Sequence, residues 1–261
     1  MLLWSTRARR LTLAVFGLVV AVVFVAPIAT VVLAALAGSW TGPLPSDLGG
    51  RNLAAALSDE NVASLAVSLQ TAFIAGALAL LVGTWAALAA REAPGWLRRA
   101  TEAAFHLPIA VPSVAIGLGL LIAFNSEPLL LGGTKWIVIL AHTVLVLAFA
   151  YSSVSAALDR LDPAYRQAAE SLGAGPARVL TRVTLPLLLP TLGAAAGLSI
   201  ALSMGELGAT VMVYPATWKT LPVTIFGLSD RGQVFQAAAD TTLLLVVTLV
   251  ALLVVGRIRR R

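Results

Sequence analysis

Cysteine is absent from the 261 residues, histidine occurs twice, and charged residues make up only 11% of the chain. The missing cysteine excludes a disulfide framework, a thiolate metal site and a cysteine nucleophile. The shortage of charge excludes an ordinary soluble domain, where about 25% of residues are charged. No glycine-rich loop ending in Lys-Ser or Lys-Thr occurs, so ATP would have to be handled by another polypeptide. His, Asp and Glu nowhere recur at metal-ligand spacing, and neither a metal nor a cofactor is expected.

What the chain has is apolar length. It is 59% hydrophobic, with a mean hydropathy of +0.93. The net charge of +6 would suggest nucleic acid in a soluble protein. Here the basic residues flank apolar runs, where anionic lipid headgroups account for them. The bilayer is the expected partner, and nucleic acid is not.

A spanning helix needs about 20 mostly apolar residues. Six candidates meet that need: Leu11–Leu36, Leu65–Ala90, Phe105–Phe124, Trp136–Ala150 (continuing toward Ala157), Leu187–Met204 and Ala237–Val255. The first lacks a small-residue cleavage site after it and reads as a retained anchor. Pro108 and Pro112 predict a kinked or partly unwound first half for the third. The fold class is therefore an all-α membrane protein, a single domain over 1–261 with its core over 65–255.

Orientation follows from the basic residues. With the N-terminus in the cytoplasm, the inner segments hold Arg7, Arg9, Arg10, Arg91, Arg98, Arg99, Arg160, Arg166, Arg178, Arg182, Arg257, Arg259, Arg260 and Arg261. The outer segments hold only Arg51, Lys135, Lys219 and Arg231. That bias predicts both termini inside and an even number of spans. Outside, Asn52–Leu57 is weakly helical, Gly132-Gly133 marks a turn, and Glu206–Gln236 carries interfacial aromatics beside Lys219.

The inner loop over 159–186 has the signals of a docking element. Asp162-Pro163 opens a helix, Ala164, Ala168 and Leu172 share one face, and Gly173 ends it in a left-handed turn. Gly175-Pro176 starts a second short helix, which Pro186 is expected to break before the fifth span. An ordinary amphipathic surface loop would carry the same local signals.

Gln167-Ala-Ala-Glu-Ser-Leu-Gly173, followed by Leu185-Pro186, resembles the loop by which permease subunits of bacterial ATP-binding-cassette importers grip their ATPases. Ala168, Ala169, Gly173, Leu185 and Pro186 match that pattern. Gln167 replaces its leading Glu, so an ion pair made by that Glu is absent here unless Glu170 substitutes. Leu107–Leu121 and Glu206–Thr210 resemble segments of the sulfate, molybdate, iron and phosphonate group of these permeases. Tyr214–Pro222 with Ser229–Gly232 most resembles permeases for 2-aminoethylphosphonate.

The resemblance implies a type I importer permease fold and a multi-pass location in the bacterial inner membrane. It implies a coupling helix seated on an ATPase dimer, a second permease chain and an extracytoplasmic solute-binding protein. The chain would be a non-catalytic subunit with a small phosphonate or oxyanion as cargo. A membrane enzyme using His106, His142 and Glu206 and a secondary transporter working alone are the competing readings.

Polar groups near the spans supply the remaining candidates. A charge at mid-bilayer costs roughly 2.5–3.5 kcal/mol, so Glu206 and Asp240 either line a path, have partners, or sit solvated at the outer interface. The solvated reading is favoured for Asp240. His106 and His142 read as isolated and satisfied inside the bundle, with a local bond between His106 and Glu102. Ser113 and Ser203 have no nearby base in sequence, which disfavours a hydrolase. A substrate path is expected near Pro112, Ser113, Ser203 and Glu206, the last two sharing a helical face.

Overall fold

The computed structural model describes residues 5–258. Arg259, Arg260 and Arg261 of the basic inventory lie outside the described residues. No strand forms among the described residues, and the extended pairing is an isolated antiparallel bridge between Ser39 and Ser46.

The described residues form eleven helices: α1 (Thr6–Leu36), α2 (Arg51–Ala56), α3 (Asp59–Glu92), α4 (Gly95–Ala110), α5 (Ser113–Ala123), α6 (Lys135–Arg160), α7 (Pro163–Ser171), α8 (Pro176–Met204), α9 (Gly208–Val213), α10 (Leu221–Asp230) and α11 (Val234–Ile258). Five of them are long and apolar enough to cross a membrane: α1, α3, α6, α8 and α11. The pair α4 and α5 makes a sixth span only if the two are counted together. They meet at 106°, with the break at Val111-Pro112. Pro108 stays inside α4. The expected kink is thus a corner at Pro112, because the residue before a proline is pushed out of the helical region. Val111 duly has extended backbone.

Two prolines inside long helices are absorbed differently. The turn Ala21–Val25 in α1 and the turn Leu180–Thr184 in α8 are π-helical. They end just before Pro27 and Pro186 respectively, apart from one intervening residue. A proline lacks an N–H and crowds the carbonyl four residues back, and a widened turn relieves both. Pro186 therefore does not break a short helix before the fifth span, as the sequence suggests. Pro176–Met204 runs through as one helix.

The chain divides into two compact units. The first comprises the chain up to Val62 with Thr224–Leu245. Its core is built of alanines: Ala34, Ala35, Ala56, Ala238 and Ala239, enclosed by Val31, Trp40, Leu53, Phe235 and Leu243. Small residues let helix backbones approach closely where lipid removes the hydrophobic drive for association. Asn52 donates its amide to the carbonyls of Ala35 (3.3 Å) and Ala37 (2.8 Å). This satisfies carbonyls at the end of α1 that have no helical partner. Only 11% of the apolar stretch of α1 is buried, so most of its surface is left for lipid.

Asp240 belongs to this unit and corrects the solvated reading. Its exposure is 0%. Oδ1 accepts from Asn61 Nδ2 (3.1 Å) and from Gln236 Nε2 (3.2 Å), while Oδ2 is buried with no hydrogen-bond partner.

The second unit holds Ala63–Val223 and the chain from Val246 on. Its centre is α6, of whose apolar stretch 61% is buried. Toward the end of α6, Tyr151, Val154 and Leu158 pack with Ala87 and Leu188, and Phe105 stacks on Tyr151 at 4.6 Å. Toward its start, Ile137, Val138 and Ala141 pack with Ala209 and Val213 of α9, with Leu120 and Leu121 of α5 and with Phe124 just past the end of α5. Gly117 is where α5 and α9 touch: a Cβ there would lie 2.6 Å from the Ala209 carbonyl oxygen, too close for any side chain. Lys135 Nζ lies 5.2 Å from the Trp136 ring and 5.3 Å from that of Trp218. This is the aromatic–lysine pairing of a membrane interface.

Candidate functional site

Two regions of the second unit gather the residues singled out in the sequence. The first is α7. Asp162 caps it by accepting the Ala164 N–H at 2.8 Å, and Pro163 takes the first helical position. The helix ends in a Schellman turn, with Gly173 N–H bonded to Glu170 O (2.9 Å) and Ala174 N–H to Ala169 O (3.0 Å). Gly173 has φ of +81°, a conformation that disfavours any side chain.

Nothing in α7 is buried. Gln167 and Ala168 are exposed, Ala169 is half-buried, and Leu172 is 89% exposed. A helix of low apolar content this exposed gains nothing from its own fold. It is instead clamped by one arginine. Arg166 donates to Glu170 on its own helix and to Glu92 at the end of α3, both at 2.8 Å. These carboxylates push the guanidinium pKa above its ordinary value, the Glu170 bond being the larger cause. Water and salt screen exposed ion pairs, so the clamp sets position more than stability. It also commits the Glu170 Oε1 that would have to replace the missing acid at Gln167. Leu185 and Pro186 lie beyond the π turn, within the continuous helix α8.

The second region is a cavity of about 220 Å³ at the corner between α4 and α5. Pro108, Ile109, Val111 and Ser113 line one side, His142, Val146 and Phe149 of α6 another, and Leu202, Ser203 and Glu206 a third. Three of the four residues expected on the path thus meet. Pro112 is not in the lining and instead forms the N-cap position of α5 between Val111 and Ser113. Ser203 and Glu206 do not share a helical face. Helix α8 stops at Met204, and the turn at Gly205 brings Glu206 back to the cavity. Glu206 Oε1 accepts the Ala209 N–H (2.7 Å), capping α9.

His142 was legible only as an isolated polar residue. It is 1% exposed, with Nδ1 2.6 Å from Ser203 Oγ and Nε2 2.8 Å from Thr210 Oγ1. Thr210 Oγ1 in turn lies 3.3 Å from the Glu206 carbonyl oxygen. One arrangement satisfies every group: Ser203 donates to Nδ1, Nε2–H donates to Thr210, and Thr210 donates to the Glu206 carbonyl. The imidazole is then neutral and pins α6, α8 and α9 together.

A base therefore sits beside Ser203 in space, although none is near it in sequence, His142 being 61 residues away. Thr210, not a carboxylate, occupies the place of the group that orients the histidine in a hydrolase triad. His106 is elsewhere: Nδ1 meets the Glu102 carbonyl (2.6 Å) and Nε2 meets Ser152 Oγ (2.9 Å). Ser152 is ten residues beyond His142 on α6, about 15 Å along the axis. The acid–base set of the enzyme reading is not assembled. Among the described residues, no group of three or more His, Cys, Asp or Glu could hold a metal.

Residues 79–261 match the family described as the inner membrane component of binding-protein-dependent transport systems. The permease PhnV of Salmonella paratyphi A, named for 2-aminoethylphosphonate transport, is 44% identical over 261 residues, covering 100% of this chain and 98% of that protein. The molybdenum transport system permease protein ModB of Mycobacterium tuberculosis is 34% identical over 74% of this chain and 77% of its own length. In fold, the chain is similar to a bacterial transporter that imports the acidic polysaccharide alginate, at 18% identity (TM-score 0.74; 97% of this chain, 95% of that one). It is also similar to the MetNI methionine transporter in an inward-facing conformation, at 19% identity (TM-score 0.65; 78% and 98%). With six candidate apolar spans when the corner pair is counted as one, and a match over residues 79–261, the chain belongs to the family of inner membrane components of binding-protein-dependent transport systems.

Proposed function

We propose that this chain is the permease subunit of an ATP-driven importer of 2-aminoethylphosphonate. The observation that carries the reading is the full-length relationship to PhnV at 44% identity. Transport energy would come from a separate ATPase dimer, docked on α7 through Gln167, Ala168, Ala169, Glu170 and Gly173, with Leu185 and Pro186 linking that element to the span. A second permease chain would complete the path, and an extracytoplasmic binding protein would deliver the solute. The exposure of α7 and its clamp to α3 support its role as the transmitted element. The cavity at Ser113, Ser203 and Glu206 supports the position of the path.

Uptake of 2-aminoethylphosphonate should depend on this chain and on the ATPase with which it co-purifies. Removing the ATPase should reduce uptake to background. Uptake that persists without any ATPase would instead favour the secondary transporter.

Both termini are placed in the cytoplasm on the basic asymmetry alone. Reporter fusions after Arg261 and after Gly132 should then report opposite sides of the membrane. The same side for both would overturn this orientation and the six-span count with it.

A further inference from the structure

The cavity at the corner of α4 and α5 holds one formal charge. Glu206 is acidic, and no lysine or arginine lines the space. One carboxylate oxygen is committed to the Ala209 N–H, which leaves the other for a ligand. The remaining polar lining is neutral: Ser113, Ser203 and the histidine that Ser203 and Thr210 hold between them. At about 220 Å³ the space is suited to a small solute. Such a lining attracts an ammonium group and repels an oxyanion, and discrimination of this kind is sharpest where the wrong charge meets an uncompensated one.

We propose that this cavity is a recognition station for the ammonium end of the transported solute, with Glu206 as its counter-charge. The permease would then contribute its own selection, for primary amines over ammonium-free phosphonates, in addition to any made before the solute reaches it. His142 lines the same cavity and holds Ser203 and the Glu206 turn in place through its contacts to Ser203 and Thr210. The inference rests on the permease reading for its solute, while the charge preference of the cavity can be measured without any solute.

The absence of cysteine makes that measurement direct. In the assembled transporter, Ser113→Cys would be modified with the ammonium reagent 2-aminoethyl methanethiosulfonate and with its sulfonate counterpart. The rate ratio is normalised to Leu129→Cys, an exposed loop position. The ammonium reagent should be preferred by roughly tenfold or more, as expected for a charge-assisted contact. Glu206→Gln keeps an oxygen to accept from Ala209 and removes only the charge, so it should abolish the preference. It should also lower 2-aminoethylphosphonate uptake by roughly ten- to hundredfold, with protein levels unchanged. A normalised ratio near one, or one that Glu206→Gln leaves unaltered, would overturn the proposal. So would inaccessibility of both Ser113→Cys and Ser203→Cys in every nucleotide state. Wild-type protein that shows the charge preference but no uptake would instead overturn the substrate assignment and leave the cavity's character standing.

Discussion

Gly173→Arg is expected to leave the protein inserted in the membrane and to abolish coupled transport. Two physical effects combine. Gly173 has φ of +81°, and a side chain in the left-handed region costs about 1–2 kcal/mol. That strain opposes the Schellman turn that bonds residues 173 and 174 back to Glu170 and Ala169. An arginine also places a long cation at the edge of a face made of alanines and an exposed leucine. Since no residue of α7 is buried, the bundle does not depend on it. Loss of a docking hot spot of about 2 kcal/mol corresponds to roughly thirtyfold in affinity for the ATPase. Deleting Ala168–Gly173 should have at least that effect, and Gly173→Ala a smaller one. The measurements are solute uptake and solute-stimulated ATP hydrolysis in the assembled complex. Wild-type values for both in Gly173→Arg would sink the assignment of this loop.

Asp240→Leu is expected to destabilise the protein itself. The substitution removes the oxygen that accepts from both Asn61 and Gln236. Two amide groups would then lose the acceptor they share, at a cost of about 1–3 kcal/mol each when buried. Asp240→Asn retains an accepting oxygen and should cost much less. Thermal unfolding midpoints in detergent, together with the fraction recovered as monodisperse protein, would show the order wild type, Asn, Leu. Equal damage from both substitutions would mean that the charge of Asp240, not its accepted hydrogen bonds, is what the site requires.

The features read correctly from sequence are those written in local residues. Apolar length places α1, α3, α6, α8 and α11, and Asp162-Pro163 and Gly173 mark the ends of α7. The corner at Pro112 follows from proline stereochemistry, although its angle of 106° does not. Helices α9 and α10 escaped because each is short and flanked by turn residues, and their apolar residues face neighbours that only the fold supplies. The continuity of α8 through Pro186 escaped because a π turn has no sequence signature beyond the proline it accommodates.

The cavity was half legible. Ser113, Ser203 and Glu206 were placed near one another through Pro112 and through spacing, although the supposed helical face shared by the last two was not the reason they meet. His142 was not connected to them. Its partners are 61 and 68 residues away in the chain, and a bond over that separation has no local pattern. Asp240 illustrates the same limit more strongly, since Asn61 is 179 residues distant.

The π turn at Leu180–Thr184 gives the chain length in this segment a mechanical meaning. Five residues there fill a wider coil than the ordinary helix on either side, which shifts the angular phase of everything before it relative to everything after. Those five residues cover about the rotation of four residues of ordinary helix, so straightening the turn to ordinary pitch at unchanged chain length would swing Pro176–Val179 by about 100° around the axis of α8. The turn thus acts as a crank setting. It fixes the azimuth at which the α7 end of this unit is presented, and losing the π turn alone would reset that azimuth without altering any side chain of α7.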